Sequence, residues 1–333
     1  MKRIIIEIPN EQLLGDCEEI IIVVTNKPSK EHGTACFLVP FFESLIDDLE
    51  RRGHHRTAET YRSTLNSFMA FRNRQDILLS DIDKTIIEDY ESHLQTKGLI
   101  KNSTSFYNRI LRTVYNRAVE AGLIEDCHPF RHVYTGIDKT VKRAITLDQI
   151  RALIAYQPKS ASGRLATNLF VFSLFTRGMS FVDMAYLKLT DVSDGYLIYR
   201  RQKSKSLIRI RWEPQMQKIA DYYADGSNIY LLPILSKSTD KDPRTVIASC
   251  QRKVNRNLKA IAKAIGLDVN LTMYVARHSW ASVAKQLGAP LSVISDGMGH
   301  SSERITRIYL KELDTSAIDN TTRQVIVALT DKK

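Results

Sequence analysis

No stretch of this 333-residue sequence approaches the roughly 18 consecutive apolar residues that a membrane-crossing helix needs. The opening MKRIIIEIP is interrupted by Glu7 and Pro9 before a secretory apolar segment can form, so the expected compartment is the cytoplasm. Cysteine is scarce. Cys17, Cys36, Cys127 and Cys250 are scattered without close pairing, which suits reduced thiols rather than a disulfide framework. Cys127, His128 and His132 fall short of a full zinc ligand set, so no metal site is expected. A glycine-rich phosphate loop and a carboxylate cluster for Mg²⁺ are both missing, as are internal repeats and low-complexity tracts. Nor is there a basic amphipathic helix with a Trp or Phe face to suit a membrane surface, or an aromatic signature of RNA-recognition type.

Carboxylates are in deficit. Against 37 Asp and Glu stand 48 Lys and Arg, a formal charge of +11 with a pI near 9.4. A surplus of this size points to an anionic partner, although charge alone does not choose between DNA, RNA and an anionic surface. The apolar share of 43% is enough to bury real cores, and the length suits two domains.

Residues 1–35 carry two short β-branched runs, IIIEI and EEIIIVVT, and then the polar KPSKEHGT, and read as a small appendage. From there the apolar period turns helical. FLVPFFESLIDDLERRG, TAETYRSTLNSFMAFRNR, KTIIEDYESHLQTKG and KNSTSFYNRILRTVYNRAVEAG each repeat apolar residues at i, i+3, i+4 and i+7, which predicts a four-helix unit over 36–130. Its basic side chains, among them Arg56, Arg62, Lys101 and Arg109, are candidates for tracking a phosphate backbone. A polar, basic connector follows at 131–145. Thr146 with Gln149 has the form of a capping box and opens a second, mainly helical part over 146–333. Within it, DGYLIYRRQKSKSLIRIRWE alternates on both sides of a polar turn and predicts a β-hairpin.

The stretch LTMYVARHSWASVAKQLGAPLSVISDGMGHSSERITRIY, residues 271–309, sets Arg277, His300 and Tyr309 along two helices and a glycine-marked turn. A tyrosine can attack phosphorus when the phosphate is clamped and the leaving oxygen is protonated. Arginine forks bind two phosphate oxygens at once, lysine can serve as the acid, and histidine can either donate to the phosphate or take the tyrosine proton. Here the sequence resembles the tyrosine recombinases, or phage integrase family. ARHSWAS, LGAPLSVISDGMGHSS and ITRIYLK follow the family's RHTFAT, LGH and IYxH boxes at matching intervals, and the resemblance extends over about residues 37–320. It implies a mainly α protein with a small β component: an all-α core-binding domain followed by a mixed α/β catalytic domain, together closing on duplex DNA.

The resemblance also implies roles. Tyr309 would be the nucleophile, Arg277 would hold the scissile phosphate, and His300 would assist with charge and proton handling. Lys203 in the hairpin turn, or Lys205 beside it, would protonate the leaving oxygen. Two positions depart from the family pattern. Tyr274 stands where the HxxR box has histidine, and still offers a hydrogen bond to phosphate. Aligning Asp183 and LKLTD with the first arginine box puts Ser180 where the arginine belongs, as in a subgroup of integrases from conjugative elements. Arg177, three residues earlier and expected on the same helix face, is the favoured substitute, with Arg201 on the hairpin the other candidate.

The implied activity is site-specific recombination through a 3′-phosphotyrosyl intermediate, on double-stranded DNA carrying specific recombination sites. It would take place in the cytoplasm at the nucleoid, without cofactor, by a homo-tetramer on two sites, with room for an accessory DNA-binding factor. A catalytically impaired DNA-binding relative and a type IB topoisomerase-like enzyme are the competing readings. The tail NTTRQVIVALTDKK would dock either on a neighbouring protomer or on its own domain.

Overall fold

The computed structural model describes residues 36–138, 144–224, 226, 228–236, 240–300 and 302–307. The chain divides into two compact units, Met1–Lys139 and Thr140–Lys333. The appendage expected at 1–35 and the tail after residue 307 lie outside the described residues.

The described residues of the first unit form an all-α bundle, with helices α1 (Leu38–Arg51), α2 (His55–Phe71), α3 (Lys84–Thr96) and α4 (Lys101–Glu120). Each is amphipathic. On α1, Leu38, Phe42, Ile46 and Leu49 fall on one stripe and are buried. They meet Phe68 of α2 and Tyr90 of α3, whose rings pack edge-on at 5.1 Å. Gly53, Gly98 and Gly122, all at positive φ, follow the ends of α1, α3 and α4. A polar ladder then pins the segment after the bundle back onto α4. Asn102 Nδ2 donates to the Asp138 carbonyl, while the Asp138 amide donates to Asn102 Oδ1. Ser105 bonds the Gly136 carbonyl, Asn108 the Tyr134 carbonyl, and Arg112 the Thr135 hydroxyl. These four α4 residues stand three or four apart, so one helix face carries all the rungs.

The second unit opens at α5 (Leu147–Ala155), where the capping box is formed on both sides: Gln149 N–H donates to Thr146 Oγ1 and Thr146 N–H to Gln149 Oε1. Helix α6 (Ala161–Phe175) is apolar nearly all round and runs through the middle of the core. After it come α7 (Phe181–Tyr186) and an antiparallel sheet of β1 (Val192–Ser193), β2 (Tyr196–Arg200) and β3 (Leu207–Arg211), in that order. Tyr199 pairs with Ile208 and Leu197 with Ile210, so Ile208 and Ile210 face the core while Arg209 and Arg211 face outward. Helices α8 (Pro214–Tyr222), α9 (Pro243–Ala264), α10 (Met273–Gln286), α11 (Leu291–Gly297) and α12 (Glu303–Arg307) follow among the described residues. The expected hairpin is present. The two-residue β1 that extends it is too short to leave a periodic signal.

Candidate active site

The site is built around Arg277. It sits on the buried face of α10, only 7% exposed, a placement that a charged group tolerates only when its donors are satisfied. Nη1 donates to the Gly178 carbonyl at 2.7 Å and Nη2 to the Met298 carbonyl at 2.7 Å. Gly178 makes this approach possible. A Cβ there would stand 2.7 Å from Arg277 Cα, and the residue lies at φ +71°. Arg177, immediately before it, also takes a left-handed φ of 61°. For a non-glycine residue this costs about 1–2 kcal/mol.

That turn corrects one expectation. Arg177 and Ser180 do not share a helix face, because the chain reverses at 177–178 and α7 begins only after Ser180. Ser180 is the N-cap of α7. Its hydroxyl accepts from the Asp183 amide at 3.2 Å and donates to Asp183 Oδ2 at 2.7 Å. Asp183 is buried and uses its other oxygen to accept the Gln202 amide of the β2–β3 turn at 2.7 Å. Arg201 stands in the same turn. Its Nε lies 3.8 Å from Asp183 Oδ2, and its Nη1 donates to the Gly299 carbonyl at 2.6 Å. One carboxylate thus anchors both the Ser180 hydroxyl and the hairpin arginine that brings a guanidinium alongside.

His300 follows α11 on a tight turn in which Gly299 takes φ +65°. A Cβ at Gly299 would strike Ile208 Cδ1 at 2.6 Å. The imidazole is held at both nitrogens: Nε2 lies 2.9 Å from Arg277 Nη2, and Nδ1 lies 2.8 Å from Oγ1 of the fully buried Thr306. Burial, then the Arg277 and Arg201 charges, push its pKa down to about 4, so the ring is neutral near pH 7. The partly buried phenol of Tyr199 is raised by burial and by Asp183, against the pull of Arg201, Arg277 and Arg177.

Arg201, Lys203 and His300 line a cleft of about 600 Å³ together with Ile208, and Asp296 is the one carboxylate among its described lining residues. Lys205 is not among them. Arg177 runs past Gly297 at the end of α11. Tyr274, half exposed on α10, stacks edge-on against His278 at 4.7 Å. Tyr309 lies outside the described residues. Of the backbone-tracking candidates on the first unit, Arg56 is paired with Glu59 and Arg62 with Glu50. Arg109 Nε bonds the Ser105 carbonyl, and Lys101 stands exposed at the start of α4. Cys127 contacts the Tyr115 hydroxyl, while His128 pairs with Asp126.

One surface escaped the sequence reading. Helix α9 has no carboxylate in 22 residues, and Arg252, Arg256, Lys259 and Lys263 are all exposed on it. At about 100° per residue these four fall within an arc of about 60°, opposite the buried Val254, Leu258 and Ile261. Like charges four apart destabilise a helix by a few tenths of a kcal/mol per pair, and the row presents four cations side by side on one exposed face. Its signal, a long segment with basic residues and no acidic ones, was present in the sequence.

Comparison with known proteins agrees with this architecture. The phage integrase SAM-like domain matches residues 37–133, and the phage integrase family matches residues 143–316. A tyrosine recombinase of Pseudothermotoga lettingae is 23% identical over 277 residues, 81% of this chain and 92% of the relative. Among solved structures, a lambda integrase fragment (75–356), crystallised as a dimer bound to a COC′ core site, has a similar fold with a TM-score of 0.66. It is 20% identical and spans 84% of this chain and 98% of that one. A lambda integrase tetramer bound to a Holliday junction gives a TM-score of 0.63 at 18% identity, over 85% of this chain and 81% of that one. With one domain of the family matched in each unit, and the match in the second spanning more than half the chain, the protein belongs to the phage integrase family of tyrosine recombinases.

Proposed function

We propose that this chain cuts and rejoins double-stranded DNA at specific recombination sites, with Tyr309 as nucleophile and the Arg277–His300–Arg201 cluster as the phosphate site. The phenol oxygen bonds to phosphorus as the P–O5′ bond breaks, giving a 3′-phosphotyrosyl link. Lys203 on the cleft wall protonates the leaving 5′ oxygen. Arg277 and Arg201 currently donate to backbone carbonyls at 2.6–2.7 Å, and these donors turn to the phosphate oxygens as negative charge builds there. Attack by the 5′ hydroxyl of a partner strand on the phosphotyrosine reverses the step. Bond energy is conserved in the protein link, so no nucleotide is consumed.

The convergence of Arg201, Lys203 and His300 on one cleft, with the buried Arg277 bonded to the His300 ring behind it, carries the reading. In it the chain is a member with serine at the first arginine position, and Arg201 supplies the lost charge. Arg201 shares Asp183 with Ser180 and bears on His300, whereas Arg177 sits beyond the turn at Gly178. Tyr274 lends a hydrogen bond to phosphate. Arg56, Arg62, Lys101, Arg109 and the α9 row track the backbone. Residues 36–130 form the core-binding domain and 146–333 the catalytic domain, joined by 131–145. Four protomers assemble on two sites, with room for an accessory DNA-binding factor. No observation among the described residues favours the non-catalytic alternative.

Incubation with a nicked duplex carrying the recombination site tests the reading. A covalent adduct that survives SDS is expected from the native chain and none from Tyr309→Phe. No adduct on a verified site, or one that persists in the Phe variant, overturns it.

A further inference from the structure

Arg277 settles the protonation pattern of His300. A guanidinium carries only donors and keeps its charge, so the ring nitrogen 2.9 Å from Arg277 Nη2 must present a lone pair. Nε2 is therefore the acceptor. The neutral ring carries its proton on Nδ1, and that N–H donates to Thr306 Oγ1 at 2.8 Å. Thr306 is fully buried on α12, two elements away from Arg277 on α10, and the ring is gripped between them.

We propose that Thr306 is a positioning residue for strand cleavage, holding His300 as the Nδ1–H tautomer so that its Nε2 receives the proton of the attacking tyrosine hydroxyl. This rests on the reading of Tyr309 as nucleophile. It assigns His300 one of the two roles a histidine can play at phosphate, proton acceptor rather than donor. When phosphate enters, Arg277 Nη2 turns from Nε2 to a phosphate oxygen and exposes the lone pair. The phenolic proton passes to Nε2 as the tyrosine O–P bond forms, and the P–O5′ bond breaks toward the Lys203 proton. The second box has Tyr274 in place of histidine, so that position offers no imidazole for this step. The charged groups around the ring are Arg277 from α10, Arg201 from the hairpin, and Asp296 and Lys203 across the cleft.

Two measurements on the full chain decide it. Long-range ¹⁵N–¹H NMR of the free protein is expected to show His300 protonated at Nδ1, a readout independent of activity. Single-turnover adduct formation on the nicked duplex is expected to fall about tenfold in Thr306→Val, matching the loss of one buried hydrogen bond. DNA affinity should be unchanged, and Thr306→Ser, which keeps the hydroxyl, should restore the rate. An Nε2–H tautomer in the native chain, or native-rate cleavage by Thr306→Val, overturns the proposal. If Thr306→Val proves unfolded, the native tautomer together with the Ser variant's rate decides. Absence of adduct from the native chain would sink the recombinase reading and leave the tautomer measurement standing.

Discussion

His300 ties residue chemistry to a measurable pH dependence. Its folded pKa lies near 4, below the 6.5 of a free imidazole, so the unfolded chain binds this proton more readily than the folded one. Its contribution to stability is therefore fully present above about pH 6.5 and is lost as pH falls toward 4. NMR titration should find the ring neutral down to about pH 4 in the free protein, and a midpoint near 6.5 would contradict the burial described. At the neighbouring arginines, Arg201→Ala is expected to slow adduct formation by about 10²–10³, the usual loss for a donor at a developing anion, and Arg177→Ala by much less. Equal losses, or a larger one at Arg177, would return the role to the residue the sequence favours. Arg277 and His300 could be singled out in the sequence because they fall in two successive boxes, ARHSWAS and LGAPLSVISDGMGHSS, at a short fixed interval. The relation of Arg201 to Ser180 was not, because a buried carboxylate joins residues about twenty positions apart only once the chain has folded.

Helices α1 to α4 could be read from apolar periodicity and closing glycines, and α5 from its capping box, since those signals are local. The reversal at 177–178 could not, because its left-handed backbone is dictated by how closely α10 approaches. Gly178→Ala tests this directly. A methyl group 2.7 Å from a backbone atom at φ +71° should lower stability by about 2 kcal/mol or more in urea unfolding, and native stability in that variant would refute the packing argument. For α9, replacing Arg252, Arg256, Lys259 and Lys263 with Gln is expected to flatten the dependence of log Kd on log salt by up to about 3.6, at about 0.9 for each phosphate no longer neutralised. An unchanged slope would show that this face neutralises no phosphate.

Across the whole molecule the charge of +11 steers the chain toward polyanions, and its association rate with duplex DNA should fall steeply with ionic strength. Assembly is a separate question from attraction. Sedimentation of the protein with a paired-site DNA should give four protomers per two sites, and a limiting stoichiometry of two would rule out the tetramer. The β2–β3 turn has one more consequence. Arg201 and Lys203 stand two residues apart on a single loop tethered to Asp183 through the Gln202 amide and to Gly299 through Arg201. On the proposed reading, a displacement of that loop draws the Arg201 guanidinium and the Lys203 ammonium away from the phosphate in one movement, while Arg277 stays in place on α10, so the position of one loop sets charge stabilisation and proton donation together.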